Sequence, residues 1–230
     1  MTADKNNASI SVKVSSSGVA RITMNRPELH NAFDDQVIKD LTRAIRKIDE
    51  NRDIRLLVLD ANGKSFSAGA DLNWMRAAAD YTEAENVEDS VFFSNMLNKL
   101  HSLPQPTIAV VQGPAVGGGL GLVSACDMAF AVKSAWFSFS ETRLGLIPAV
   151  ISPYVIKAMG PRAAHRYFLT AERFDAEEAH RLGLLHGLAD DMQGLSALVE
   201  QVVSALFETA PHAVTASKEL IDAVEGKEID

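Results

Sequence analysis

Two short segments of the chain alternate between apolar and polar residues. They are ISVKV (10–14) and ARITM (20–24), with SSSG between them. A period of two broken by a turn predicts a β-hairpin. From Asn31 onward the period lengthens. Phe33, Val37, Leu41, Ala44, Ile45 and Ile48 recur at helical spacing with charges between them, which predicts an amphipathic helix. IRLLVLD (54–60) and PTIAVVQG (106–113) are nearly continuous apolar runs, the sign of strands buried on both faces. Each leads into a turn-rich loop, ANGKSFSAG and then GPAVGGGLG, and from there into a helical pattern. Between these units, residues 80–89 read as a polar loop ahead of a helix around 91–103. MAFAV and AWFSFS read as two more strands. The repeated order of strand, glycine-rich loop and helix predicts crossover connections in a mostly parallel sheet, an α/β fold. Beyond Ser152 the pattern is largely helical. Pro153 and Pro161 stand where first-turn prolines belong, and Asp175 with Glu178 makes a capping-box-like start.

Composition narrows the function classes. The formal charge is 22 − 30 = −8, with no basic run, a poor electrostatic match for nucleic acid or an anionic membrane. Cys126 is the single cysteine, so no internal disulfide forms, in keeping with a reducing compartment. The first ten residues carry neither an apolar core nor an arginine-rich amphipathic pattern, and no window is long and apolar enough to span a bilayer. A soluble cytoplasmic protein is expected.

Several motifs fail on spacing. NGKS (62–65) looks like the end of a P-loop, but that motif's first glycine would fall on Val58, inside a strand. A dinucleotide fingerprint opened by Gly119 and Gly121 would need its third glycine at Ser124. No serine nucleophile elbow, H-E-x-x-H or C-x-x-C is present, so no metal site is expected. His30 reads as a surface-loop histidine. The loops SFSAGADL (65–72) and GPAVGGGLG (113–121) remain. Each follows a buried strand and opens a helix, so each can present free backbone N–H groups at the positive end of a helix dipole. Two such amides aimed at one carbonyl oxygen make an oxyanion hole. Taken singly, either loop is better explained by glycines that permit tight helix–strand packing, and it is the pair in one chain that shifts the balance toward a site.

FSAGADL, GPAVGGGLGLVSACD and FSETRLGLIP, with NRPELHNAF (25–33) and FDAEEAHRLGLL (174–185), together resemble the enoyl-CoA hydratase/isomerase (crotonase) superfamily. The resemblance runs from about Ile10 to the end, in order. It implies a crotonase-like spiral of repeated ββα units over residues 1–190 and the start of a helical C-terminal region over 191–230. It implies homotrimers or dimers of trimers, an acyl-CoA thioester as ligand, and no cofactor beyond the coenzyme A of the substrate. Carried over by position, the oxyanion amides fall on Ala70 and Gly118. Asp71, Leu72 and Asn73 lie along the pantetheine and adenine path, flanked by Ala68 and the Leu29 region.

The family's hydratases carry two catalytic glutamates. One position is Gly121 here and the other is Glu141, so one carboxylate is kept and one is lost. The more common PGgGGtqrL stretch appears as PAVISPYVI. These features resemble the bacterial methylglutaconyl-CoA and isohexenylglutaconyl-CoA hydratase subgroup. They imply hydration of a branched glutaconyl-type thioester with Glu141 as the single base, and Arg143 as a candidate partner for the substrate's own carboxylate. An enoyl-CoA isomerase and a non-catalytic acyl-CoA-binding protein are the alternatives. An RNA-binding role is disfavoured by the charge. Family members commonly continue past the point where this sequence stops; a truncated chain, a natural short form and a chain with a disordered tail are the open alternatives, and a more open pocket is one consequence they share.

Overall fold

The computed structural model describes residues 8–225. In chain order the strands are β1 (Ile10–Val14), β2 (Val19–Met24), β3 (Leu56–Ala61), β4 (Thr107–Val111), β5 (Ala115–Val116), β6 (Met128–Val132), β7 (Trp136–Ser138), β8 (Phe174–Asp175) and β9 (Gly187–Ala189). The helices are α1 (Asp35–Asp49), α2 (Leu72–Ala78), α3 (Glu83–His101), α4 (Gly118–Ala125), α5 (Ser152–Thr170), α6 (Ala176–Arg181), α7 (Met192–Phe207) and α8 (Pro211–Val224).

The main sheet has the order β1-β2-β3-β4-β6-β9. Only the β1–β2 hairpin is antiparallel, and the remaining pairs are parallel. The hydrophobic pattern of each strand follows from its place. β2 lies near the edge and alternates, burying Ala20, Ile22 and Met24. β4 is central, and all of its residues are buried. α1 covers the sheet with Val37, Ile38, Leu41, Ala44, Ile45 and Ile48. A second, three-stranded sheet is ordered β5-β7-β8, with β5 parallel to β7. It is small, and it matters because it ties the second glycine loop to the segment after β7.

Three details depart from the sequence pattern. Phe33 precedes α1, whose N-cap is Asp34 accepting from Val37 N at 2.9 Å, so it pairs with a loop and does not share the helix face. The polar segment expected as a loop is mostly helix, because α3 starts at Glu83. A full capping box starts it there. Thr82 Oγ1 accepts from Glu85 N at 3.3 Å, and Thr82 N donates to Glu85 Oε2 at 2.7 Å. Periodicity misses this turn since α3 buries only Met96, Leu97 and Leu100, near its far end. In α6, Asp175 caps Glu178 N at 2.8 Å, but the Glu178 carboxylate turns to Tyr167 and Arg181, so the box is half formed. Pro161 does open a helical segment, since Gly160 breaks α5 with φ 77°.

α8 has no buried residue. Polar contacts hold it: Lys218 Nζ to Asp127 Oδ2 at 2.9 Å and Thr215 Oγ1 to Pro104 O at 3.0 Å, with Lys157 paired to Asp222. None of the described helices is long and apolar enough to cross a membrane.

Candidate active site

The two glycine-bearing loops leave neighbouring parallel strands, β3 and β4, and run side by side. Phe66 N and Ser67 N both donate to Pro114 O, at 2.9 and 3.2 Å, and Val116 N donates to Ser67 O at 2.9 Å. The approach is close enough that a Cβ on Gly119 would stand 2.8 Å from Ser67 Cβ, and one on Gly69 would stand 2.9 Å from Val116 O. Gly69 also has φ +84°, a conformation that side chains resist. These glycines therefore do serve tight packing. The same packing brings Gly118 N to within 3.6 Å of that Gly69 Cβ position, directly beside the Gly69–Ala70 link.

The groups around Ala70 are spoken for. Phe33 N donates to Gly69 O and Asp71 N donates to Phe33 O, both at 2.7 Å. Gly69 N donates to Ser67 Oγ at 3.1 Å. At the second loop Gly117 N donates to Ser138 O at 3.0 Å. Among the described residues, the N–H groups of Ala70 and Gly118 are left with no acceptor. Gly118 is the first residue of α4, so its N–H belongs to the unpaired set at a helix start. Two neighbouring unpaired N–H groups, one at a helix N-terminus, are suited to bind a single polarised oxygen.

Glu141 comes to the same place by way of the small sheet. Val116 pairs with Ser138, β7 ends, and a 3-10 turn begins at Glu141. Its carboxylate is laid against Gly117: a Cβ there would stand 3.0 Å from Glu141 Oε1. Gly117 also has φ +50°, so both its shape and its space exclude a side chain. Glu141 Oε2 is buried without a hydrogen-bond partner among the described residues. Burial pushes its pKa above the ordinary glutamate value, and a bond from its own backbone opposes this only in part. A partly dehydrated carboxylate with a free oxygen is equipped to take and return a proton.

The lost second glutamate has a structural counterpart. A Cβ on Gly121 would overlap Ile151 Cγ2, and would lie 3.2 Å from both Ile151 Cβ and Leu97 Cδ1. The two departures from the family pattern, Gly121 and the PAVISPYVI stretch, are thus one packed contact. Phe33 and Phe93, with ring centroids 5.9 Å apart, stand over Gly118. Phe33 and Ile151 sit inside quoted motifs and Phe93 inside α3, but no local spacing marked any of the three as reaching this site, because they come to it from separate parts of the chain.

The remaining candidates lie on the rim. Leu29 is exposed at the end of a 3-10 turn, Ala68 is exposed with its N–H on His30 O at 2.9 Å, and Leu72 and Asn73 are exposed in the first turn of α2. The Asp71 carboxylate caps α2, accepting from Asn73 N at 2.8 Å and Trp74 N at 3.2 Å, so it fixes the loop. His30 is exposed as expected, and its Nδ1 lies 3.0 Å from Ser65 Oγ. Arg143 is exposed two residues after Glu141 and forms no ion pair among the described residues.

Asn31 stands in the NRPELHNAF motif, but the sequence pattern gave it no role. It is buried with φ +53°, and its side chain clamps the first loop. Nδ2 donates to Asn62 O at 2.8 Å and Ser65 O at 2.9 Å, and Oδ1 accepts from Arg26 N at 2.8 Å. Asparagine tolerates the left-handed conformation that most residues avoid. Asn31→Ala is expected to lower stability by about 2–3 kcal/mol by removing its bonds to Asn62 O, Ser65 O and Arg26 N, which together pin the loop, as urea unfolding would read.

Comparisons of sequence and of structure give the family and the fold. The enoyl-CoA hydratase/isomerase family matches residues 14–228. A solved Legionella pneumophila protein described as of enoyl-CoA hydratase/isomerase (crotonase) type is 45% identical with TM-score 0.92, covering 97% of this chain and 85% of that one. An enoyl-CoA hydratase of Shewanella pealeana is 42% identical with TM-score 0.93, covering 98% and 83%. A Thermus thermophilus relative classed with the enoyl-CoA hydratases is 33% identical over 218 residues, 94% of this chain and 85% of its own. The architecture is the crotonase fold, and the chain belongs to the enoyl-CoA hydratase/isomerase family.

Proposed function

We propose that this enzyme is a hydro-lyase that hydrates the double bond of an α,β-unsaturated acyl-CoA thioester. The observation that carries this reading is the meeting of one dehydrated carboxylate, Glu141, with the two unpaired amides of Ala70 and Gly118. The thioester oxygen accepts from both amides, which draws electron density from Cβ. Ionised Glu141 takes a proton from water as the water oxygen bonds to Cβ. The electrons of the double bond pass to the thioester oxygen, where the enolate is held. Glu141 then returns its proton to Cα. Each amide contributes about 3 kcal/mol to the transition state, by comparison with single oxyanion donors elsewhere. No cofactor is required beyond the coenzyme A of the substrate, with Ala68, Asp71, Leu72, Asn73 and Leu29 along its path.

We propose further that the acyl group is a branched glutaconyl type. Such a substrate brings its own carboxylate, and Arg143, exposed in the turn of Glu141 and without an ion pair among the described residues, supports that choice. The proposed assembly is a homotrimer or a dimer of trimers, measurable by light scattering.

The test is the fall in ultraviolet absorbance of the conjugated thioester with 3-methylglutaconyl-CoA and with crotonyl-CoA. Hydration predicts a fall, faster with the branched diacid derivative. No fall with either, together with movement of the double bond in a β,γ-unsaturated thioester, would replace hydration by isomerisation. Thioester binding with neither reaction would leave a binding protein. The pH profile is a separate expectation. The base acts ionised, so kcat/KM should rise with pH through an inflection above the ordinary glutamate range, as burial of Glu141 dictates. An inflection at or below that range would remove Glu141 from the role.

A further inference from the structure

The contact between Ile151 and Gly121 has a chemical consequence. Gly118 and Gly121 are three residues apart in α4 and so lie on one face of the helix. Gly119, between them, turns the other way, onto Ser67. A side chain at 121 would therefore project on the side of α4 that packs Gly118 against Phe93, since the contacts at both positions include α3. That space is taken by Ile151, with Leu97 beside it. Both are core residues, at 2% and 0% exposure. Ile151 is also held by the backbone. It caps α5 and its carbonyl accepts from Val155 N at 3.1 Å, with Pro153 in the first turn behind it.

Resting on the hydration reading, we propose that Ile151 limits this site to a single proton-transferring group. Its side chain, with Leu97, makes a closed hydrocarbon wall where a second carboxylate would stand. Nothing on that wall gives or takes a proton, so Glu141 carries both transfers and the enzyme has no separate acid. Ile151 touches no reacting atom in this scheme. It determines which chemistry the site runs by what it keeps out.

The test uses four full-length proteins: the parent, Gly121→Glu, Ile151→Gly, and the double variant. Thermal unfolding comes first, because it depends on the packing and not on activity. Gly121→Glu alone should melt far below the parent or fail to accumulate in soluble form. The double variant should recover most of that loss relative to Gly121→Glu. A double variant no more stable than Gly121→Glu would overturn the proposal.

The second readout is the pH dependence of crotonyl-CoA hydration. The parent should show one rising limb. The double variant should gain a falling limb at higher pH, from a second carboxyl that works protonated, and a rate increase of roughly ten-fold or more. A well-folded double variant with the parent's single limb and no gain would also overturn the proposal. Stability recovery in the double variant, with a parent that hydrates no thioester, would instead support the wall and sink the hydration reading, so the two failures are told apart.

Discussion

Replacing Glu141 by glutamine is expected to lower kcat about 1,000-fold, within the range by which positioned acid–base groups act. KM for the thioester should change little. The two side chains have nearly the same shape, so the packing against Gly117 and the position of the amides should persist. What is lost is the capacity to accept a proton. Stability should move in the opposite direction. Burial raises the folded-state pKa of Glu141, so the native protein holds this proton more tightly than the unfolded chain. The stability linked to the group is fully present below the unfolded pKa. It is lost as pH rises through the higher folded pKa, because the buried carboxylate must then ionise. At neutral pH the parent therefore carries a cost that glutamine lacks. Glu141→Gln should melt higher than the parent at pH 7, and the difference should shrink toward pH 4. Turnover equal to the parent's would end the proposed role. Lower stability at pH 7 would mean that the dehydration inferred from the structure is wrong.

The parts legible in the sequence are those that repeat. Continuous apolar runs mark β3 and β4 because both faces of a central parallel strand are buried, and a period of two marks β2 because one face is not. The glycine loops were visible as places of close approach, and they are. Glu141 is different. Nothing in its spacing from Gly117 announces that the two meet. Two-residue pairings in the small sheet bring them together, and a two-residue strand has no period to read. Family resemblance named Glu141, and the fold supplies its surroundings. The roles of Asn31 and Ile151, both within quoted motifs, were illegible for a related reason. One acts through a left-handed backbone and the other through a contact thirty positions away in sequence, between Gly121 and Ile151. The start of α3 was legible in principle, as Thr82 followed by Glu85, but an outward-facing turn leaves no hydrophobic trace.

Gly118→Val should cost about 100- to 1,000-fold in kcat, the loss seen when one oxyanion donor is removed. The N–H survives the substitution, so the loss must come through position. A Cβ at residue 118 would stand 3.1 Å from Phe93 Cζ and 3.2 Å from Phe33 Cδ2 and Cε2. Those separations are tight for alanine, and the two further methyl groups of valine overfill the space. Phe33 is buried and cannot yield. The first turn of α4 must then shift, which carries the N–H of residue 118 away from that of Ala70. Backbone strain is not the cause, because Gly118 lacks the positive φ of Gly69 and Gly117. This separates steric displacement from conformational strain. Gly118→Ala should lose about ten-fold or less, since one methyl asks for a few tenths of an ångström. Phe93→Leu should return part of the activity to Gly118→Val, because Phe93 is only half-buried and a smaller side chain leaves room. The double-variant cycle measures that coupling in kcat/KM. Full activity in Gly118→Val would show that the thioester oxygen is held elsewhere. A loss that Phe93→Leu leaves untouched would place the obstruction on the substrate itself, at the amide, instead of on the ring above it.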